Sequence, residues 1–372
     1  MNNKQLKLIL KSYIINEIKS IISLINYKKF SLTKKKYNKK RKVAILCYLG
    51  NQYIPNHTNY EQQGIIIKIL ESFEYDVICI ENSRYIFDLP KPNLIIGFGN
   101  SWRLLINKYP NVKNILYATE APPFMSYINE SLRVMNSIKK GYKRSKIQRS
   151  YKYYYDDDYI NAKDIFQMGE YNCSILNKLN MLNKRVTPIT SFGIGYLNKR
   201  DKQKINRSFL WFGSHGVVHK GLDITIKAFS NLTNITLYVA GCKLEEFKNL
   251  NPTKNIKYLG YINPENAVFE KITEECIGFI LPSASEGMST AALTCMYKGL
   301  IPIVTKETNI SAPYSYIINP NIVDIISSIE KIISMSDLNL KKISDEILRY
   351  STEKFTPLNY EENIKKALME VL

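Results

Sequence analysis

The stretch Ile280-Leu-Pro-Ser-Ala-Ser-Glu-Gly-Met-Ser-Thr290 decides the fold of this chain. An apolar run ends at Pro282 in small polar residues, and a helix-like segment follows from Ser289. The pattern predicts a buried strand, a tight turn and a helix start, where backbone N–H groups and the helix dipole can bind an anion. A carboxylate such as Glu286 is costly beside an anion unless it binds hydroxyls of a neutral group attached to that anion. A sugar on a diphosphate has this chemistry.

A second segment of the anion-binding kind lies upstream, Ser208-Phe-Leu-Trp-Phe-Gly-Ser-His-Gly-Val-Val-His-Lys-Gly-Leu-Asp223. It predicts a buried strand at Phe209 to Phe212, a flexible turn at Gly213 to Gly216, and then a helix. Lys220 precedes that helix, where its mobile ammonium can reach a phosphate. A solvated surface lysine explains a lone Lys-Gly pair equally well, but the spacing to the Glu286 turn favours a functional lysine.

Three segments together extend this pattern: Gly213-Ser with Lys220-Gly221, Pro282-Ser-Ala-Ser-Glu-Gly287, and Met296-Tyr-Lys-Gly-Leu-Ile-Pro-Ile-Val304. They resemble the C-terminal half of the family 4-type retaining glycosyltransferases, which have the GT-B fold. The resemblance covers about Phe209 to Thr305. It implies a metal-independent enzyme that transfers a hexosyl or other glycosyl group from a nucleotide-diphosphate sugar. The acceptor is a glycan or a lipid-linked glycan, and the anomeric configuration is retained.

The resemblance also implies roles for individual residues. Lys220 would bind the donor diphosphate, and Glu286 would bind hydroxyls of the donor sugar. The backbone amides of Gly287, Met288 and Ser289 would line the sugar and the phosphates. These residues need no protein nucleophile, because the departing phosphate oxygen itself can take the acceptor proton.

Two donor-site positions depart from the family pattern. An arginine usually follows the strand glycine, Gly213, but here Ser214 occupies that position. A second glutamate usually holds the nucleotide ribose, but Thr294 stands in its place. We keep Gly213, Ser214 and Thr294 as predicted donor-binding positions and expect the phosphate contacts to be weaker or rearranged. The identity of the nucleotide stays open.

The first half of the chain offers three further candidates. His57 lies in a polar loop after the first strand and is a candidate catalytic residue on the acceptor side. Alternatively, Thr58 or Asn59 simply caps the helix, and His57 is an exposed residue beside that cap. Gly50 could let the backbone approach the donor phosphate, although loop glycines are common. Glu120 follows a later strand and either lines the acceptor side or caps its turn.

Apolar strands alternate with helices in two series, as in parallel sheets covered on both faces. We therefore predict the α/β class and two Rossmann-like domains that face a cleft. The predicted divisions are a basic amphipathic arm at 1–42, an acceptor domain at 43–196, a linker at 197–206, a donor domain at 207–352, and a C-terminal helix at 353–372 that crosses back to the first domain.

Positive charge is concentrated in the arm. Residues 1–42 contain thirteen lysines and arginines and one acidic residue, Glu17, so they carry +12 of the formal net charge of +19. Leu6, Leu10, Ile14 and Ile21 lie on one side of a possible helix. An interfacial helix followed by a polybasic run suits an anionic membrane surface, here the inner face of the cytoplasmic membrane. A solvated lysine tail is the alternative interpretation.

The remaining sequence excludes several other classes. The six cysteines have no paired metal spacing and do not predict disulfides, so we expect a cytoplasmic protein without a metal site. No apolar run is long enough to span a bilayer, and no secretory signal is apparent. The chain lacks a dinucleotide-binding G-x-G-x-x-G turn, a Walker A sequence and a G-x-S-x-G elbow. We expect no cofactor other than the nucleotide-sugar substrate.

Three rival functions stay open. The substitutions at Ser214 and Thr294 allow a degenerate GT-B protein that binds without transferring. The basic arm allows nucleic-acid binding, but the arm is separate from the cleft, and we do not expect a nucleic-acid partner. A nucleotide-sugar epimerase would use the donor without an acceptor. By family analogy, the leading function belongs to surface polysaccharide or lipopolysaccharide synthesis.

Overall fold

The computed structural model describes residues 41–49, 58–83, 89–139, 141–142, 146–179, 183–195, 206–214 and 216–372. The predicted basic arm lies outside these residues except for its last two positions. Gly50 and His57 lie outside them as well, and so does the predicted linker up to residue 205.

The first sheet has six strands, β1 (Lys42–Tyr48), β2 (Tyr75–Glu81), β3 (Leu94–Gly97), β4 (Lys113–Ala118), β5 (Asp164–Met168) and β6 (Val186–Ile189). The described helices between them are α1 (Thr58–Ser72), α2 (Gly99–Lys108), α3 (Pro123–Lys139), α4 (Asp156–Asn161) and α5 (Glu170–Leu179). The spatial order is β2-β1-β3-β4-β5-β6, and each pair of neighbours is parallel.

The second sheet contains β7 (Ser208–Phe212), β8 (Leu237–Ala240), β9 (Ile256–Gly260), β10 (Cys276–Leu281), β11 (Ile301–Val304) and β12 (Tyr316–Ile317). Its helices are α6 (Leu222–Ser230), α7 (Leu244–Lys248), α8 (Ala267–Glu275), α9 (Thr290–Met296), α10 (Ile322–Ile333) and α11 (Asp337–Lys354), with a 3₁₀ turn at Lys306–Thr308. The order is β12-β11-β10-β7-β8-β9, again parallel.

The prediction of an α/β protein with two parallel sheets is confirmed. In β10, all six residues of the sequence Cys-Ile-Gly-Phe-Ile-Leu are buried, because helices cover both faces of the sheet. Two short edge strands, β6 and β12, were not predicted. Both are partly exposed, and β6 contains Pro188, so neither has the continuous apolar run of the central strands.

The strand order of the second sheet reverses between β7 and β10, since β8 lies on one side of this pair and β11 on the other. The loops after two such strands diverge and leave a crevice at their carboxyl ends, where ligands bind in open α/β sheets. The two anion-type segments of the sequence follow these two strands. Topology therefore brings them to one place.

The last helix, α12 (Pro357–Val371), belongs to the core of the first domain. Tyr360, Ile364 and Leu368 are buried there. The Tyr360 hydroxyl lies 2.7 Å from that of Tyr117 on β4, and both side chains are buried. The chain therefore returns to the first domain after completing the second. Among the described residues, no helix is long and apolar enough to cross a membrane.

Candidate active site

A cavity of about 840 Å³ lies between the two domains. Its walls combine the loops after β7 and β10 with first-domain residues after β4 and with segment 146–153. Eight predicted site residues line this one cavity: Glu120, Gly213, Ser214, Lys220, Glu286, Gly287, Met288 and Ser289.

Lys220 and Glu286 form a buried ion pair in the cavity wall. The Lys220 ammonium donates to Glu286 Oε1 at 2.6 Å, and the Ser283 hydroxyl donates to the same oxygen at 2.7 Å. Burial raises the pKa of Glu286, but the charges of Lys220 and Arg149 outweigh it and lower the pKa to about 2. Burial lowers the pKa of Lys220, against the attraction of Glu286. The glutamate is thus an anion at neutral pH, held by a cation that can also face a ligand.

Two glycines make room for Lys220. A Cβ at Gly213 would lie 3.0 Å from Lys220 Cδ, so the absence of a side chain leaves space for the lysine stem. Gly221 has φ 70°, and a Cβ there would lie 2.6 Å from the carbonyl oxygen of Pro282. The Lys-Gly pair of the sequence is therefore a requirement of the backbone: glycine allows the left-handed turn and the close contact with the Glu286 loop.

The turn that carries Glu286 is fixed by both domains. The Ala284 amide donates to the His219 carbonyl at 2.7 Å, and His219 Nε2 donates to the Ser285 carbonyl at 2.7 Å. The carbonyl of Glu286 accepts from Asn172 of α5 at 2.9 Å and from Asn309 at 3.1 Å. Because these partners hold the backbone, the Glu286 side chain has a fixed origin in the cavity.

The three backbone amides predicted to line the sugar and the phosphates differ in their partners. The amides of Gly287 and Met288 have no hydrogen-bond partner among the described residues. The Ser289 amide, in contrast, donates to the Thr308 carbonyl at 3.0 Å, and its hydroxyl caps α9 by accepting from Ala292 N. The Ser289 amide therefore stabilises the loop, whereas the other two residues line the cavity without such a bond.

Thr294 lies outside the cavity lining. Its side chain is buried, its hydroxyl donates to the Thr290 carbonyl at 2.8 Å, and the Ile194 amide donates to it at 2.9 Å. These bonds tie α9 to the segment that leaves the first domain. The position predicted for ribose binding thus has a structural contact in this chain.

The first domain reaches the turn that carries Glu286 through one face of α3. Ser126 Oγ lies 2.8 Å from Ser285 Oγ, and Asn129 Nδ2 donates to the Ala284 carbonyl at 3.0 Å. One turn further along, the Arg133 guanidinium donates to the Pro282 carbonyl. A row of polar side chains on α3 is therefore buried against the second domain and holds the two domains in register.

Arg149 brings a second cation into the cavity, from the first domain. Its guanidinium donates to Glu120 at 3.4 Å, and its charge helps to lower the pKa of Glu286. Burial lowers the pKa of Arg149, but Glu286, Glu120 and Glu130 together raise it above the usual value. Burial raises the pKa of Glu120, and the charge of Arg149 partly offsets this effect. Cations from both domains therefore face one space.

Glu130 of α3 fixes the segment that carries Arg149. It is buried and accepts from the amides of Gln148, Arg149 and Ser150 at 2.9 to 3.2 Å and from the Ser150 hydroxyl at 2.7 Å. Burial raises the pKa of Glu130, but His219 and these donors lower it to about 2. A buried carboxylate with this many donors is a rigid anchor.

The comparison with protein families assigns the second domain. Residues 206–334 match the model of the family described as glycosyl transferases group 1. The second domain is a group 1 glycosyl transferase domain. A comparison with curated protein sequences finds no match.

Solved structures extend the similarity of fold to the whole chain. Sucrose-phosphate synthase from Thermosynechococcus elongatus aligns with a TM-score of 0.63 at 11% identity, over 89% of this chain and 99% of that one. HepE from Anabaena, in complex with UDP and glucose, aligns with 0.55 at 12%, over 89% and 100%. WaaG, a glycosyltransferase involved in lipopolysaccharide biosynthesis, aligns with 0.50 at 12%, over 87% and 99%. The predicted GT-B fold is therefore confirmed.

Sequence reasoning missed three residues of this site: Arg149, Glu130 and His219. His219 directly precedes Lys220, and this position in the anion segment was the available signal. Nothing in the local sequence marks Arg149, which follows several other basic residues, or Glu130, which lies in a helix. Among the described residues, no three His, Cys, Asp or Glu side chains are grouped so that they could hold a metal ion.

Gly287 of the glycosyl transferase domain is expected to be intolerant of a side chain. A Cβ there would lie 1.9 Å from the Thr119 carbonyl oxygen, which belongs to the first domain. Gly287→Ala should therefore push the Glu286 turn away from β4 and lower the free energy of unfolding by about 1–3 kcal/mol. Gly64→Ala is the matched control, because a Cβ at that position on α1 meets nothing within 4 Å. Thermal unfolding that is equal in both variants would contradict this packing.

Proposed function

We propose that the protein is a retaining glycosyltransferase that moves a sugar from a nucleotide-diphosphate donor to a glycan or lipid-linked glycan. The observation that carries this proposal is the buried Lys220–Glu286 pair at the strand reversal of a group 1 glycosyl transferase domain, with Arg149 opposite it. A cation suits the diphosphate, and an ionised carboxylate suits the sugar hydroxyls.

The chemistry requires that negative charge be stabilised as the bond between the anomeric carbon and the diphosphate breaks. Lys220, Arg149 and the free amides of Gly287 and Met288 are suited to this task without a metal ion or a further cofactor. Glu286 would hold the sugar so that its anomeric carbon faces the acceptor. The acceptor oxygen then bonds to that carbon on the same face, and its proton passes to the departing phosphate oxygen.

Glu120 is proposed to serve the acceptor side of the cavity. It belongs to the first domain, faces the same space as Glu286, and burial raises its pKa. His57 and Gly50 keep their predicted roles as proposals, acceptor-side and donor-phosphate contacts respectively. We further propose a cytoplasmic enzyme at the inner membrane face that acts in surface polysaccharide or lipopolysaccharide synthesis. The likeness to WaaG supports this setting through the fold alone.

UDP-glucose is the first donor to test, since HepE has been captured with UDP and glucose. The experiment is to measure UDP release from UDP-glucose and from a panel of other nucleotide sugars, with and without lipid-linked glycans. We expect release from one donor that an acceptor accelerates. Donor binding without any release would favour the degenerate binding protein, and release without product transfer would favour a hydrolase. Conversion of the donor to an epimeric nucleotide sugar would favour the epimerase. Release by the Glu286→Ala variant at the wild-type rate would contradict the role of Glu286.

A further inference from the structure

Helix α3 presents an apolar face to solvent. Ile128, Leu132 and Met135 follow one another at helical spacing and are 54%, 54% and 55% exposed. Tyr127 and Ile138 flank them and are also exposed. Isolated exposed apolar side chains are ordinary, but a row of five on one helix is typical of a surface that binds something.

The opposite face of the same helix is polar and buried. Ser126, Glu130, Arg133 and Ser137 recur at helical spacing and are buried, as are the apolar Met125 and Val134. Ser126, Glu130 and Arg133 contact the second domain. A surface helix normally places its apolar side inward and its polar side in water. Here most of the large apolar side chains face solvent, and the bonds from Ser126, Glu130 and Arg133 hold the helix in this orientation. The exposed face is therefore a fixed feature of the fold.

Aromatic and basic residues continue this face. The Tyr127 ring packs on Tyr151 at 5.6 Å between centroids, and Tyr151 stacks on Tyr155 at 6.3 Å. Lys139, Lys146 and Lys152 are exposed around the patch. Among the described residues from 139 to 152, Lys139, Lys146, Arg149 and Lys152 are basic and none is acidic. Aliphatic residues with tyrosines and a basic margin are the composition of helices that lie in a membrane interface.

We propose that this α3 face docks on an anionic lipid membrane. The aliphatic residues would enter the boundary of the acyl chains, the tyrosines would lie at the level of the headgroups, and the lysines would contact acidic phosphates. Charge decides between this partner and a second copy of the chain, because a symmetric contact through α3 would bring two lysine margins together.

The patch continues into the wall of the cavity. Lys146, Ile147, Lys152 and Tyr153 line the cavity, and their segment also carries Tyr151, which packs on α3. If the proposed transfer function holds, docking would place the open side of the cleft beside a lipid-linked acceptor. Membrane docking itself does not depend on that function.

The test is co-sedimentation of the full chain with phosphatidylcholine vesicles, with and without phosphatidylglycerol. The Leu132→Asp/Met135→Asp variant should bind anionic vesicles about tenfold or more weakly than the wild type, because it loses apolar insertion and gains repulsion. Leu338→Asp/Leu358→Asp is the matched control. Both leucines are exposed, they lie on α11 and α12 and not on α3, and the change in charge is the same. The control should bind like the wild type.

Equal binding by the wild type and the α3 variant would overturn the proposal and assign any membrane affinity to residues 1–40. A wild-type dimer that the α3 variant dissociates, without vesicle binding, would overturn it in favour of a second copy. Stabilisation by UDP-glucose is measured on the same variants. An α3 variant that no longer sediments with vesicles but is still stabilised by UDP-glucose would show that docking and donor binding are separate. If UDP-glucose stabilises neither protein, the proposed donor site fails, but the difference in sedimentation should remain.

Discussion

Replacing Lys220 with methionine is expected to abolish donor binding and to lower transfer by about a hundredfold to a thousandfold, the usual effect of removing one preorganised charge partner. The apolar stem of the lysine is kept, but the Glu286 carboxylate loses the ammonium that lies 2.6 Å away. Removing one member of a buried ion pair costs about 3–5 kcal/mol of folding stability. Transfer rate, donor binding and thermal unfolding should all be measured on this variant.

A second variant separates stability from function. Lys220→Met/Glu286→Gln removes both charges and should unfold closer to the wild type, because no uncompensated carboxylate remains buried. It should still fail to bind the donor. Lys227→Met is the control on α6, the helix that follows Lys220, where the lysine is exposed, and it should change neither property. Recovery of transfer in the double variant would show that Lys220 has only a structural role.

Replacing Arg149 with alanine is the second change with a large expected effect, a loss of transfer of about a hundredfold. Arg149→Lys should recover part of it, because the charge remains while the planar fork is lost. The distinguishing readout is kcat against KM. Removing a residue that stabilises the leaving diphosphate in the transition state lowers kcat, whereas removing one that only tightens ground-state binding raises KM.

Glu130→Gln tests how Arg149 is positioned. The amide keeps the shape of the carboxylate but weakens its bonds to the amides of segment 148–150, so the loss of transfer should be smaller than in Arg149→Ala. Arg349→Ala, on the exposed face of α11, is the control for the loss of an arginine. Wild-type kcat in Arg149→Ala would contradict a role for this residue in the reaction.

The meeting of Lys220 and Glu286 in one cavity could be predicted from the sequence because these residues are local to two turns. A strand end, a glycine and a charged residue follow one another in each segment, and parallel-sheet topology brings the two segments together. Lys220 and Glu286 were placed in this way. The same local patterns gave the central strands, whose apolar runs are continuous, but not β12, a two-residue edge strand.

The contribution of the first domain could not be predicted because it depends on tertiary contacts. Arg149 is one basic residue among several. Its position is fixed by hydrogen bonds to Glu130, which lies about twenty residues earlier in the chain. At Ser289 and Thr294, tertiary contacts occupy groups for which a ligand contact was predicted. Each occupies a position implied by resemblance, but a carbonyl or an amide of a neighbouring segment satisfies its polar groups. Pattern alone does not record such partners.

The most direct test of a donor site at Lys220 and Glu286 is thermal stabilisation by nucleotide diphosphates and their sugars, without added metal. A ligand at a hundred times its Kd stabilises the folded state by about 2.7 kcal/mol. We expect the wild type to be stabilised by one nucleotide family and Lys220→Met/Glu286→Gln to be unaffected by it. Equal stabilisation of both proteins, or none by any nucleotide, would contradict a donor site at this pair.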